Sequence, residues 1–289
     1  MIKEIWKIMR PKQWMKNLFM FAGILFSQNL FNFPLLLKSI LAFFIFCLIS
    51  GSTYVMNDIA DLKEDRHHPL KSQRPLASGR LRVSYALWWL IFISLFSLGV
   101  SFKLSPLFFL VALSYFMLQL AYSISLKHMV ILDVFAIACG FVLRVVAGAV
   151  VIDVQISSWL LICTILLSLF LGLSKRRHEL VVLEGGAPTH RKVLGEYSPY
   201  LLDQMISVVT ASTVVAYALY TMSEETIEKF GSKNLVFTVP FVLYGIFRYL
   251  YLIHQKGAGG NPESILVTDK PLMIAILLWV IAIGIILYR

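Results

Sequence analysis

The chain has 289 residues, 58% of them hydrophobic, and a formal net charge of +10. Apolar runs long enough to cross a bilayer recur along it, which excludes a soluble globular protein, and the alternating ten-residue segments of a transmembrane β-barrel are absent. In a soluble protein that charge would point to nucleic acid. Here the preference of basic loops for the cytoplasmic side accounts for it, and no nucleic-acid partner is expected. The expected fold class is an all-α polytopic membrane protein, a single domain over residues 1–289.

Residues 1–16 carry Lys3, Lys7, Arg10, Lys12 and Lys16, without the small-residue cleavage site of a secretory signal. Ile2, Ile5, Trp6, Ile8 and Met9 form one apolar face, which predicts a short amphipathic helix lying in the membrane interface and ended by Pro11. Nine spans follow, over 17–33, 35–58, 83–102, 106–125, 129–151, 157–175, 199–221, 235–253 and 271–288. Pro34 and Pro106 stand at helix starts, where a missing N–H costs nothing. The glycines at 257, 259 and 260 with Pro262 mark a loop. Cys47, Cys139 and Cys163 each lie inside an apolar run and read as small packing residues.

Loop charge sets the orientation. The N-terminus, the 59–82, 175–198 and 254–270 loops and Lys127 hold nineteen of the 26 Lys and Arg residues, and they fall on one side. That side is expected to be cytoplasmic, which places the chain as a multi-pass protein of the cell (inner) membrane.

The most informative stretch is NDIADLKEDRHHPLKSQRPLASG, from Asn57 to Gly79. Asn57, Asp61 and Asp65 recur at four-residue intervals and so share one helical face, with Asp58 at its border. Carboxylates this close repel one another unless a cation lies between them, and Mg²⁺ binds through one or two carboxylates together with substrate phosphates. The loop then turns basic, with Arg66, His67, His68, Lys71 and Arg74. An acidic helix end followed by a basic loop suits a metal-chelated diphosphate, with Asp58, Asp61 and Asp65 as metal ligands.

Other charges lie within or beside spans. Asp133 and Arg144 are eleven residues apart, about 16 Å along a helix, too far to pair. Asp133, near Lys127 and His128, is placed to meet a substrate or metal. For the deeper Arg144, a buried structural partner and a ligand role stand open. Lys175, Arg176 and Arg177 form a dense cationic cluster after the sixth span, either a topological anchor or an anion site.

The NxxxDxxxD of Asn57, Asp61 and Asp65, followed by RPLASG at 74–79, resembles the UbiA-type polyprenyl transferase superfamily. So do RPKQWMKN at 10–17, YSISLKHMVILD at 122–133, GFVLRVVAG at 140–148, SKRRHEL at 174–180 and YSPYLLDQM at 197–205. Together they are similar to the branch of decaprenyl-phosphate phosphoribosyltransferase-like proteins.

The resemblance implies about nine transmembrane helices around a central cavity open to the cytoplasmic side, and Mg²⁺ as cofactor. It also implies phosphoribosyl diphosphate as donor and a polyprenyl phosphate as acceptor. The bilayer is a further partner, and a homo-oligomer is compatible with the sequence. Many relatives acting on aromatic acceptors carry a second aspartate-rich motif after the sixth span. Here Lys175, Arg176, Arg177, His178 and Glu179 stand there, which suits an anionic monophosphate.

Under this resemblance Asn57, Asp61 and Asp65 are catalytic. Asn57, Lys71, Arg74, Lys127 and Asp133 hold the donor. Lys12, Lys16, Asn17, Arg144, Lys175, Arg176 and Arg177 hold the acceptor phosphate. The rival expectations are an aromatic-acceptor prenyl transferase of the same superfamily and, more distantly, a transporter. The second would need inverted repeats, and no internal symmetry is visible.

Overall fold

The computed structural model describes residues 2–67, 71–182, 192–257, 265, 266 and 268–288; His68 and much of the 175–198 loop lie outside them. Its chain forms two compact units, Met1–Ile156 and Ser157–Arg289. The described residues include eight helices long and apolar enough to cross a membrane, in keeping with an all-α polytopic membrane protein.

In the first unit, α1 (Ile2–Ile8) leads through Arg10 into a 3-10 helix, Pro11–Phe21, which runs directly into α2 (Ala22–Phe26). Then come the long α3 (Phe33–Ala60), the short α4 (Leu62–His67), α5 (Val83–Leu104), α6 (Pro106–Ile124) and α7 (Leu132–Val150). Proline at the first turn of α3 and α6 starts both helices, and the Ser105 side chain caps α6 by accepting from Phe108 N–H.

Two expectations meet a different outcome here. The span predicted over 17–33 is no continuous α-helix: a 3-10 stretch ends at Phe21, α2 follows to Phe26, and the chain breaks at Ser27 and Gln28, the latter with φ 59°. A 3-10 helix rises about 2.0 Å per residue, so the run from Pro11 to Phe26 still reaches roughly 30 Å, the thickness of a hydrocarbon core. Close packing accounts for the tight winding. A Cβ on Gly148 of α7 would sit 1.9 Å from the Met20 carbonyl oxygen, so the two backbones touch where only glycine fits. Around this contact Met20, Ile24, Phe46, Phe108, Tyr115 and Ala147 form the core.

The second difference concerns α1. Its apolar face was expected on lipid, but Ile5, Ile8 and Met9 are buried against Val55, Leu76, Leu81, Ala86 and Ile93. Protein offers that face closer packing than lipid does, and Trp6 points outward.

The second unit comprises α8 (Ser158–Val182), α9 (Pro199–Met222), α10 (Glu224–Phe230), α11 (Val239–Lys256) and α12 (Lys270–Tyr288). Several of its polar side chains pair within the apolar packing. Tyr217 Oη lies 2.7 Å from Thr238 Oγ1 and accepts from Trp279 Nε1 at 2.9 Å. Arg248 donates to Asp269 at 2.8 and 3.1 Å, and these bonds hold the Asp269 carboxyl below the usual carboxylate range.

Candidate functional site

The acidic motif sits where α3 gives way to α4. Asp61 occupies the single-residue joint, yet the four-residue backbone pattern runs through it. Asp61 N–H bonds Asn57 C=O at 2.9 Å, and Asp65 N–H bonds Asp61 C=O at 2.8 Å. The side chains therefore keep helical spacing but divide into two pairs. In the first, Asn57 Nδ2 donates to Asp61 Oδ2 at 2.9 Å, and Lys127 donates to the other oxygen, Oδ1. Ser123 Oγ, 3.3 Å away, donates to Asn57 Oδ1. In the second, Asp58 and Asp65, seven residues apart on one stripe, share the Arg74 guanidinium, with Nη1 at 3.1 Å from Asp58 Oδ1. Asp58 and Asp65 are buried, whereas Asn57 and Asp61 are part-exposed.

The cations arrive from three separate segments. Arg74 follows the 3-10 turn Lys71–Gln73, whose Lys71 carbonyl accepts from Arg74 N–H at 2.9 Å. Lys127 lies in the 3-10 turn Leu126–His128 between α6 and α7. Arg10 comes from the N-terminus, donates to Asp58, and lies over the Tyr54 ring at 5.1 Å. The Lys127 connector ends in a γ-turn: Ile131 has φ 67° and ψ −47°, and Leu132 N–H bonds Val130 C=O at 2.7 Å. A β-branched residue in this conformation is strained by about 1–3 kcal/mol. Asp133, fully buried in the first turn of α7, follows immediately.

Several expected site residues lie elsewhere. Asn17 and Arg144 were assigned to an acceptor phosphate, but both are buried in one polar network. Arg144 donates to Asn17 Oδ1 at 2.8 Å, to Gly140 C=O at 2.7 Å and to Tyr115 Oη at 2.8 Å, and stands over the Tyr115 ring at 4.7 Å. Asn17 in turn donates to Ser50 Oγ at 3.0 Å and faces Cys47 Sγ at 3.2 Å. A guanidinium engaged on three sides within the core supports helix packing and has little reach toward a ligand. Lys12 is exposed and Lys16 part-exposed on the preceding helical turns.

The cationic cluster of the second unit is also more neutral than its sequence suggests. Arg176 is fully buried and donates to Glu179 at 2.7 Å, while Arg177 grips Asp203 of α9 with two nitrogens. Lys175 lies 4.0 Å from Glu179. The expectation that Lys175, Arg176 and Arg177 hold an acceptor phosphate is qualified to this extent: the two arginines are each committed to a carboxylate. The signal was available, because Glu179 lies one turn from Arg176 and Lys175.

Sequence reasoning passed over Arg10, Ser123 and Tyr115. Arg10 was counted toward topology and quoted in RPKQWMKN but given no role at the site, and Ser123 lies one turn before Lys127 in YSISLKHMVILD without a charge to mark it.

Comparison with known proteins extends these observations. The sequence pattern of the UbiA prenyltransferase family matches residues 17–264. The chain is 32% identical over 288 residues to the decaprenyl-phosphate phosphoribosyltransferase of Corynebacterium glutamicum, covering 98% of this chain and 86% of that protein. It is 32% identical over 301 residues to the same-named protein of Mycolicibacterium smegmatis, covering 100% and 93%. Its fold resembles a UbiA homolog from Archaeoglobus fulgidus bound to DMAPP and Mg²⁺. The TM-score is 0.73 and the identity 19%, over 98% of this chain and 99% of that one.

Proposed function

The chain belongs to the UbiA prenyltransferase family, and on that premise we propose that it transfers the 5-phosphoribosyl group of phosphoribosyl diphosphate to a polyprenyl phosphate, releasing diphosphate. The observation that carries this reading is full-length similarity, at 32% identity, to two proteins named for that reaction. The family match runs through both compact units, which supports reading the chain as one enzymatic domain.

The acidic site fits a divalent cation by donor chemistry: Asn57 and Asp61 offer part-exposed hard oxygen ligands, and the buried Asp65 follows one turn on. Among the described residues no three His, Cys, Asp or Glu side chains converge into a ready-made cage. Mg²⁺ typically completes its shell with substrate phosphates and water, so one or two such carboxylates suffice for it. Bound there, Mg²⁺ would supply positive charge to the departing diphosphate.

The chain's own groups do the rest. Arg74 and Lys127, which here neutralise Asp65 and Asp61, would turn donors toward diphosphate oxygens, and Lys71 stands one short turn from Arg74. Asp133 would act on the donor side, at the end of the Lys127 connector. The bond from ribose carbon 1 to diphosphate oxygen breaks, and one from carbon 1 to a lipid phosphate oxygen forms. The acceptor is ionised at neutral pH, so the site needs no strong base. Lys12 and Lys16 in the first unit or, alternatively, Lys175 in the second are the candidates to hold it. The basic loops support a cytoplasmic active side in the inner membrane.

Purified protein with Mg²⁺ should be offered two substrate pairs. Phosphoribosyl diphosphate with a polyprenyl phosphate is expected to give a new lipid. A prenyl diphosphate with an aromatic carboxylic acid is expected to give none. A product from the second pair alone would transfer the chain to the aromatic-acceptor branch.

A further inference from the structure

We propose that Asp58 is a positioning residue rather than a cation ligand, and that through it the N-terminal segment holds Arg74 against the diphosphate site. One buried oxygen, Asp58 Oδ1, accepts from both Arg10 and Arg74, and Arg74 continues to Asp65. The result is an alternating ladder, Arg10–Asp58–Arg74–Asp65, of zero net charge. A carboxylate enclosed between two guanidiniums is poorly available to a metal. It fixes the angle of both cations instead.

The N-terminal segment is built to make this contact. Arg10 adopts a left-handed conformation, φ 51° and ψ 64°, uncommon for a residue with a side chain. That turn aims its guanidinium back over Tyr54 toward Asp58. The helix before it is anchored to the same loop that carries Arg74. Ile5, Ile8 and Met9 pack with Leu76 and Leu81, and Arg80 Nε lies 3.8 Å from Glu4 Oε2. Met9 occupies the space a side chain at Gly51 would fill, its Cε 2.7 Å from that Cβ position. So α1 grips the loop through apolar contacts on one side and through the charge ladder on the other. Loss of Arg10 should free Arg74 to rotate, although Arg10 is 48 residues from Asp58 in sequence.

The ladder rests on the proposed reaction only in naming the donor; inorganic diphosphate with Mg²⁺ tests it under either prenyl or phosphoribosyl chemistry. Diphosphate affinity should be measured by titration calorimetry for the purified full chain and for Arg10→Ala, Arg10→Lys, Asp58→Asn and the double variant Arg10→Ala/Asp58→Asn. Removing groups that orient a binding residue typically costs about 10- to 100-fold. Arg10→Ala and Asp58→Asn are each expected to weaken diphosphate by about tenfold or more, and Arg10→Lys to recover part of the loss. The double variant should be no worse than the poorer single one, because both act through Arg74. In turnover, the Michaelis constant for the donor should rise while that for the lipid phosphate holds, and the Mg²⁺ requirement should stay unchanged. Two results would overturn the proposal: additive losses, or an Asp58→Asn variant needing far more Mg²⁺ while Arg10→Ala binds diphosphate normally. If Asp58→Asn fails to fold, unchanged diphosphate affinity in Arg10→Ala is by itself sufficient to reject it.

Discussion

Asp61→Asn is expected to lower turnover by at least about a hundredfold in a protein that still folds and inserts. Asp61 stands at the joint of α3 and α4, with one oxygen on Asn57 and the other on Lys127. Its carboxylate is the part-exposed one of the three, so it is the one a cation and a substrate reach first. Groups that merely orient a metal ligand cost about 10- to 100-fold when removed, and a ligand itself should cost no less. The amide keeps the shape and the hydrogen bond to Asn57 but forfeits the charge, and Lys127 loses its counter-ion. Because the side chain is near solvent, the melting temperature in detergent should move little. Steady-state rates over a Mg²⁺ titration, paired with thermal unfolding, separate the two effects. Near-normal turnover would remove Asp61 from the metal site.

Arg144→Leu should do the opposite, unfolding the protein without singling out either substrate. The substitution leaves Asn17 Oδ1 without its guanidinium donor in the core and removes bonds to Tyr115 Oη and Gly140 C=O. Losing the partner of a buried polar group costs about 1–3 kcal/mol, so the two side-chain bonds together cost roughly 2–6 kcal/mol. That is a large part of the stability of an ordinary domain. A marked fall in melting temperature is expected, with the surviving folded fraction keeping its affinity for both substrates. Unchanged stability with a selective rise in the Michaelis constant for lipid phosphate would return Arg144 to the acceptor site.

The helices were legible because bilayer-length apolar runs have few other solutions, and prolines and loop charge punctuate them clearly. The 17–33 stretch differs from the span expected there because periodicity does not reveal a 3-10 helix, nor the close backbone contact it makes between Met20 and Gly148, on distant parts of the chain. The same limit applies at α1, whose amphipathic pattern is equally suited to lipid and to the Leu76–Leu81 face it actually covers.

Within the motif, the four-residue spacing led to Asn57, Asp61 and Asp65 as one face. The seven-residue spacing of Asp58 and Asp65 was equally visible, but its meaning depends on Arg74 folding back from the loop. Lys127 was assigned to the donor only under the resemblance, and its bond to Asp61 comes from a connector with a γ-turn at Ile131 that no isoleucine advertises. The Arg176 and Arg177 cluster looked open because a charge run does not announce its partners. Asp203 comes from the following helix, 26 residues on.

The central claim is that carbon 1 of the ribose is the group's point of transfer, and position-specific labelling tests it most directly. Phosphoribosyl diphosphate should be prepared with ³²P either in the 5-phosphate or in the terminal phosphate of the diphosphate, and each incubated with the protein, Mg²⁺ and a polyprenyl phosphate. Label from the 5-phosphate is expected to enter the lipid, and label from the terminal phosphate to leave as inorganic diphosphate. Label reaching the lipid from the terminal phosphate, or from neither position, would contradict phosphoribosyl transfer.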